Sequence, residues 1–203
     1  MRAVAASVRD LLGHPRVFEL QQRLGAGGLV PLRAWLSAAL RLGPSDRVLD
    51  LCCGPGRLAD LVPGPYVGLD LDGRSVARAR AAFASDARKR FIVGDAGGAA
   101  FRPKCFAKAL FVDGLHHLND ADAARALATL RAVTRETIAI ADPAPETRHP
   151  VSRLFQMLDL GRHIRRRPAQ VALIEGAGLA IEREETLYSG LAHQRVYVCR
   201  PRP

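Results

Sequence analysis

Aromatic side chains are scarce in this 203-residue chain, and long apolar runs are missing. Phe, Trp and Tyr together make up 5% of the residues, and only three residues are lysine. No apolar run approaches the roughly 20 residues that a membrane-spanning helix needs. The first ten residues contain no apolar stretch followed by a small-residue cleavage site, so we expect no secretory signal. The sequence therefore predicts a cytoplasmic protein without a transmembrane segment.

The cysteines exclude two further classes of protein. There are four of them, two adjacent (Cys52 and Cys53), and none forms a C-x-x-C pair. Adjacent cysteines cannot join distant segments, which argues against a disulfide-rich scaffold. A zinc site needs a spaced set of thiolates or imidazoles, so we predict no metal. Reduced thiols packing as small apolar groups are the expected state, with thiol chemistry at Cys52 and Cys53 as the alternative.

The chain is strongly basic, with a formal net charge of +10 carried almost wholly by arginine. A basic surface favours anionic partners such as nucleic acid, phosphorylated or carboxylated small molecules, or an acidic membrane face. Charge alone does not establish nucleic-acid binding, and few aromatic residues are present to stack on bases. The sequence leaves the oligomeric state open.

Short apolar runs alternate with helical patterns from Asp46 onward. This alternation predicts right-handed crossovers and a parallel sheet with helices on both faces. Two closely spaced final strands predict an antiparallel hairpin. We therefore expect an α/β fold with a Rossmann-like, doubly wound, seven-stranded sheet whose last strand is antiparallel. The predicted strands are 47–51, 66–70, 90–93, 109–112, 137–141, 179–187 and 195–199, and the predicted helices of this part are 73–83, 120–133 and 168–177.

Residues 1–42 are predicted to form a separate helical cap. Pro15 opens one helix that ends near Leu24, and Pro31 opens another that ends near Leu42. The wound domain then occupies 43–203. A basic segment at about 144–168 falls between the fifth strand and the next helix, where we predict a lid over the substrate.

The clearest motif is VLDLCCGPG at 48–56, an apolar strand that runs into a glycine turn. Glycines allow the backbone to pass close to a ligand, and such turns face the crevice at the carboxyl ends of the strands. Asp50, Asp70 and Asp95 follow three different strands and are expected at this same edge. A carboxylate such as Asp70 can accept two hydrogen bonds from ribose hydroxyls.

Four motifs occur together in a familiar order: VLDLCCGPG at 48–56, YVGLDLD at 66–72, FIVGDA at 91–96 and LHHLND at 115–120. In these segments the chain resembles the class I S-adenosylmethionine-dependent methyltransferases, particularly a small-molecule branch similar to quinone-biosynthesis methyltransferases. The resemblance covers 47–142 closely. It departs from the family pattern at Cys52, where glycine is usual, and at Ala107, where aspartate is usual.

The resemblance implies S-adenosyl-L-methionine as cofactor, S-adenosyl-L-homocysteine as product, and a set of binding residues. The methionine end would lie along the glycine turn and pass over Val112, the ribose on Asp70, and the adenine beside Leu71, Asp95 and Ala96. The implied cofactor residues are Asp50, Cys52, Gly54, Gly56, Asp70, Leu71, Asp95, Ala96 and Val112.

Methyl transfer depends chiefly on positioning, and a general base is needed only when the acceptor must lose a proton. Three histidines are candidates for that base: His116, His117 and His163. One of the paired imidazoles is equally well explained as ordering its loop. Arginines in the predicted lid can bind a carboxylate or phosphate in bidentate fashion. The predicted substrate-binding residues are Asp142, Arg162, Arg165 and Arg166.

The predicted function is therefore methyl transfer from S-adenosylmethionine to a small molecule, with an anionic or lipid-linked acceptor included. Two alternatives are a nucleic-acid methyltransferase, which the charge favours, and a binding module that keeps the fold without turnover. A nicotinamide enzyme is disfavoured, because Asp70 follows the glycines sooner than the usual ~20 residues.

Overall fold

The computed structural model describes residues 30–145, 163–189 and 192–202. Seven strands form one sheet in the order β3-β2-β1-β4-β5-β7-β6. Strand β7 runs antiparallel to both of its neighbours, and the other described pairs are parallel. The predicted fold class is confirmed. The strands are β1 (Val48–Leu51), β2 (Tyr66–Asp70), β3 (Lys89–Val93), β4 (Phe106–Val112), β5 (Thr134–Pro143), β6 (Leu179–Ser189) and β7 (Ala192–Pro201).

Four described α-helices cover the two faces of the sheet: α1 (Val30–Leu40), α2 (Gly73–Ala82), α3 (Asp120–Val133) and α4 (Arg167–Gly176). Apolar side chains of α1 and α2 pack on one face. Those of α3 and α4 pack on the other. Coverage on both faces explains why the central strands are buried, as in β1, whose four residues are all buried.

Two helices begin where polar side chains satisfy their first free amides. The carboxylate of Asp72 accepts hydrogen bonds from the amides of Arg74 and Ser75 at the start of α2. The side chain of Asn119 accepts from the amide of Asp122 at the start of α3. Such N-caps are readable in a sequence, and the predictions for these two helices agree with the structure to within one residue.

Several boundaries differ from the predicted ones. No α-helix follows the glycine turn after β1: turns and one short 3-10 turn at Ala59–Leu61 occupy this stretch. Strand β5 begins at Thr134, three residues earlier than expected. The β6–β7 loop is shorter, because Tyr188 and Ser189 belong to β6. Cross-strand pairing along the whole hairpin overrides the local turn pattern.

Two predicted segments lie largely or wholly outside the described residues. The helix expected between 15 and 24 falls there completely, and the predicted lid does so over 146–162. The division into a cap at 1–42 and a second domain stays a prediction. Leu32 and Leu36 of α1 are fully buried in the same apolar cluster as Val48 and Val196 of the sheet. Within the described ranges no helix has the length and apolar character to cross a membrane.

Gly56 has both a backbone and a packing reason to be glycine. Its φ is +78°, and an added Cβ would lie 2.8 Å from Phe91 Cε1. We expect Gly56→Ala to lower the free energy of unfolding by about 2–4 kcal/mol, from left-handed strain and overpacking together. Gly176→Ala is the control, because a Cβ there meets nothing within 4 Å. Urea unfolding of both variants measures this difference. Equal free energies of unfolding for Gly56→Ala and Gly176→Ala would contradict the packing reason.

Candidate active site

The turn after β1 is built from residues in unusual backbone conformations. Cys52, Gly54 and Gly56 have φ values of +61°, +52° and +78°. The amide of Cys53 donates to the carbonyl of Leu69, which holds the turn against β2. A Cβ added to Gly54 would meet no atom within 4 Å. The turn therefore presents a backbone surface that a ligand can approach closely.

The Asp70 carboxylate is fixed at the end of β2 by two backbone amides. Gly54 N donates to one oxygen at 2.7 Å, and Asp72 N donates to the other at 2.9 Å. These bonds join the β1 turn to the segment that starts α2. They also hold the carboxylate at the carboxyl edge of the sheet, beside the exposed side of Gly54.

Asp50 is a buried acid next to this turn. Its side chain is 2% exposed, and Tyr66 Oη donates to Asp50 Oδ2 at 2.6 Å. Burial, with the negative charge of Asp70 as a smaller cause, raises the pKa of Asp50 to about 7, although the Tyr66 hydrogen bond acts in the opposite direction. The group therefore changes its charge near neutral pH.

Three aspartates lie near enough to the thiol of Cys52 to affect its pKa. Burial is the largest cause that raises the pKa of Cys52 to about 12, and the charges of Asp70, Asp50 and Asp95 add to it. Burial and the same neighbouring Asp50 and Asp70 also raise the pKa of Cys53. Both thiols stay protonated at neutral pH, which favours packing over thiolate chemistry. The structure thus brings together three acids that lie in or directly after three different strands.

The remaining predicted cofactor residues lie at the same edge. Asp95 is exposed and accepts a hydrogen bond from the amide of Gly97 at 3.1 Å, so it also forms a tight turn. Ala96 is buried, Leu71 is 74% exposed directly after Asp70, and Val112 is half-buried where β4 ends.

The turn after β4 packs directly on the turn after β1. A Cβ added to Gly114 would lie 2.9 Å from Cys52 Cβ. The preceding residue, Asp113, has a φ of +52°, and its carboxylate accepts from Gln194 Nε2 of β7 at 2.6 Å. We did not single out Asp113 from the sequence. Its place directly after an apolar strand, as for the other aspartates, is the signal that could have found it.

The paired histidines have different surroundings. His116 is 3% exposed, and its Nδ1 lies 2.8 Å from Asp142 Oδ1, which also accepts from the His116 amide. His117 is exposed, and its ring centroid lies 4.1 Å from that of His116. His163 is exposed too, and its amide donates to the carbonyl of His116. The three candidate bases are therefore close together in the chain's folded form.

Two of the predicted substrate-binding residues are engaged within the protein. Asp142 is fully buried against His116. Arg165 is 7% exposed and makes hydrogen bonds to three carbonyls and to Asp120. Arg166 is exposed just before α4, and Arg162 lies outside the described residues. The described ranges contain no group of three or more His, Cys, Asp or Glu side chains arranged to hold a metal.

One protein family matches the part of the chain that contains most of this edge. Residues 48–137, which contain β1 through the start of β5, match the family described as "Methyltransferase domain". Residues 48–137 therefore form a methyltransferase domain. S-adenosylmethionine is its cofactor, and transfer of a methyl group is its reaction type. No curated protein matches the sequence.

Several solved structures share the fold of this chain. The PH0226 protein of Pyrococcus horikoshii OT3 is 19% identical, with 93% of each chain covered and a TM-score of 0.73. The magnesium protoporphyrin IX methyltransferase of Synechocystis PCC 6803, solved with bound S-adenosylhomocysteine, is 20% identical over 95% of this chain and 92% of that one (TM-score 0.70). The [4+2]-cyclase SpnF is 15% identical over 84% and 80% (TM-score 0.67). At these identities the likeness concerns the fold.

The methyltransferase's own geometry fits the cofactor. The open side of Gly54 leaves room for a ligand against the backbone, and the neighbouring Asp70 carboxylate is held in place to accept hydroxyl hydrogen bonds. Carboxylates of Asp50 and Asp70 near the turn suit a ligand that carries positive charge.

Gly54→Ala tests whether the open side of the turn is the place where the ligand lies. The positive φ costs about 1–2 kcal/mol of stability, but the added methyl group meets no protein atom. We expect S-adenosylhomocysteine to bind at least about tenfold more weakly, a loss of about 1.4 kcal/mol. Calorimetric titration measures this affinity, with Gly176→Ala as the control. Unchanged affinity in folded Gly54→Ala would place the ligand elsewhere.

Proposed function

We propose that this methyltransferase moves the methyl group of S-adenosylmethionine to a small-molecule acceptor. The observation that carries the proposal is the convergence of three aspartates from three strands around one glycine turn. The turn after β4, with its two histidines, packs on that turn through Gly114 and Cys52. This arrangement supports a donor site and a candidate proton-accepting site that adjoin each other.

Each cofactor group has a residue suited to hold it. Asp50 would attract the ammonium group of the methionine moiety, while the backbone at Gly54 and Gly56 would contact its chain. Asp70 would accept hydrogen bonds from the ribose hydroxyls. Asp95 would accept from the adenine amino group, between the apolar side chains of Leu71 and Ala96. Val112 would line the methionine end.

The bound cofactor supplies an activated methyl group on a sulfonium, and the protein's main contribution is to align the acceptor and exclude water. A proton must also be removed if the acceptor is a hydroxyl, an acidic carbon or an ammonium. A hydrogen bond from Nδ1 of His116 to Asp142 leaves its Nε2 as the proton-accepting nitrogen of the neutral ring. His116 is therefore the candidate whose ring is held by a carboxylate, with exposed His117 and His163 beside it.

An anionic or lipid-linked acceptor, as in the quinone-type branch, remains part of the proposal. The exposed arginine Arg166 supports a carboxylate or phosphate on the acceptor, and Arg162 remains a sequence-based candidate. A nucleic-acid acceptor is the second possibility because of the net charge of +10. The segment after β4, Asp113-Gly114-Leu115-His116, differs from the Asn/Asp-Pro-Pro-aromatic segment of enzymes that methylate amino groups in nucleic acids.

Radiolabelled transfer separates these functions. Protein with methyl-labelled S-adenosylmethionine is incubated with a small-molecule extract, a lipid extract or total RNA. We expect label in a small-molecule or lipid fraction. Label in RNA, with binding that weakens steeply in salt, would favour the second function. Folded protein that binds neither S-adenosylmethionine nor S-adenosylhomocysteine would contradict the proposal as a whole.

Asp70→Asn is expected to weaken S-adenosylmethionine binding by more than about 1 kcal/mol, because charge-assisted hydrogen bonds to the ribose are lost. Asp72→Asn is the matched control two residues away: asparagine also caps helices, so α2 is kept and affinity should not change. Calorimetry on both variants measures the difference. Equal affinity of the Asp70→Asn variant and the parent protein would remove Asp70 from the ribose site.

The pKa of Asp50 predicts a pH-dependent affinity. Below about pH 7 the carboxyl is mostly protonated and neutral, and above that value it is ionised, so S-adenosylmethionine should bind more tightly as pH rises from 5 to 7, where the ligand ammonium stays charged. The change is at most about tenfold per pH unit below the pKa. Asp50→Asn should remove this dependence, and adenosine, which lacks the ammonium group, should not show it.

Tyr66→Phe tests independently whether the pKa of Asp50 sets the pH dependence of binding. The Tyr66 hydrogen bond lowers the pKa of Asp50, so its removal should raise that pKa and move the affinity profile to higher pH. Calorimetry at several pH values measures the profile. An unmoved profile would mean that Asp50 does not cause the dependence.

A further inference from the structure

Arg165 lies where the chain enters α4, yet its guanidinium is directed into the protein. The side chain is 7% exposed. Its Nη1 donates to the carbonyls of Leu115 (2.9 Å) and His163 (3.1 Å), and its Nη2 donates to the carbonyl of Leu118 at 2.7 Å. Its Nε donates to Asp120 Oδ1 at 2.9 Å, and Nη2 lies 2.7 Å from the same oxygen. The five N–H groups of an arginine therefore all have an acceptor close by.

These contacts enclose the turn that carries the two histidines. Leu115 begins the 3-10 turn Leu115–His117, and Leu118 directly follows it. One planar guanidinium thus binds a carbonyl at each end of the turn. Asp120, which it also binds, begins α3. This single side chain therefore binds the turn and the start of the helix at the same time.

His116 is held from two further directions. Asp142 Oδ1 binds both the imidazole Nδ1 and the backbone amide of His116. The amide of His163, two residues before Arg165, donates to the His116 carbonyl at 3.0 Å. Asp142 therefore orients the ring, whereas the segment of His163 and Arg165 orients the backbone that carries it.

We propose that Arg165 is a positioning residue for the His116–Asp142 pair, and does not bind an anion of the acceptor. An acceptor carboxylate or phosphate would have to displace these carbonyls, and the buried Leu115 carbonyl would then lack a partner, at a cost of about 1–3 kcal/mol. This inference rests on the proposed function, in which the histidine turn accepts the proton of the acceptor.

A lysine cannot replace the arginine in this role. The guanidinium presents five donors in one rigid plane, whereas an ammonium presents three donors from a single nitrogen. One nitrogen cannot bind both ends of the turn and Asp120 with the same geometry. Arg165→Lys should therefore keep the charge but loosen the turn, which separates the effect of geometry from the effect of charge.

The test is nuclear magnetic resonance of the imidazoles in protein with ¹⁵N-labelled histidine. In the parent protein we expect the Nδ1–H of His116, bonded to Asp142, to give a downfield, slowly exchanging proton signal. Arg165→Gln should abolish this signal or speed its exchange at least about tenfold, and shift the His117 resonances. Arg166→Gln is the matched control, an exposed neighbour whose loss should leave these signals unchanged.

Two further variants cover the case in which Arg165→Gln does not fold. Arg165→Lys should weaken the same signal less strongly. Asp120→Asn weakens one partner of Arg165, because the aspartate at this position, whose side chain is 82% exposed, becomes neutral. The variant should shift the His116 signal slightly in the same direction as Arg165→Gln does. Wild-type imidazole signals in folded Arg165→Lys and Asp120→Asn would overturn the proposal.

Titration with inorganic phosphate tests the opposite assignment. If Arg165 positions the turn, phosphate affinity should be the same in Arg165→Lys and the parent protein. Weaker phosphate binding in Arg165→Lys, with the imidazole signals unchanged, would make Arg165 an anion ligand and overturn the proposal. Titration of S-adenosylhomocysteine keeps the two proposals apart: we expect its affinity to stay within about twofold in the Arg165 variants, while failure of the parent protein to bind it contradicts only the proposed function.

Discussion

The hydrogen bond from the Gly54 amide to the Asp70 carboxylate is the contact on which the site depends. It joins the turn after β1 to the end of β2, and it leaves the other side of Gly54 open. Because the turn is held by this bond and by the Cys53 amide on Leu69, its backbone can face a ligand without collapsing onto the sheet. This conformation requires left-handed backbone angles at several residues of the turn.

Placing acids along one edge has electrostatic consequences. Asp50, Asp70 and Asp95 lie close enough that all three affect the thiol of Cys52, and Asp70 contributes to the raised pKa of Asp50. Asp113 directly follows β4, and Asp142 lies in β5, one residue before its end. The chain as a whole is strongly basic, so its cofactor edge has the opposite sign to its total charge. A donor that carries a sulfonium and an ammonium suits such an edge.

The side of the site that would bind the acceptor has a different construction. There the structure uses buried polar side chains to order a short turn: Asp142 and Arg165 hold the segment of His116. Arginine is suited to this task, because its planar group satisfies several carbonyls at once. The basic segment before α4 is therefore not uniformly a surface for anions. Neighbouring arginines differ, since Arg166 is exposed and Arg167 pairs with Glu184.

Local signals determined much of this protein in advance. Short apolar runs predicted the strands, apolar residues spaced along one side predicted α2 and α3, and four ordered motifs predicted the methyltransferase family and the strand ends that carry Asp50, Asp70 and Asp95. These features depend on residues near one another in the sequence. Only the tertiary structure decided which charged side chains form hydrogen bonds within the protein. Asp142 on His116, Gln194 on Asp113 and Arg165 on the histidine turn join segments 26 to 81 residues apart, and no local pattern records such distances.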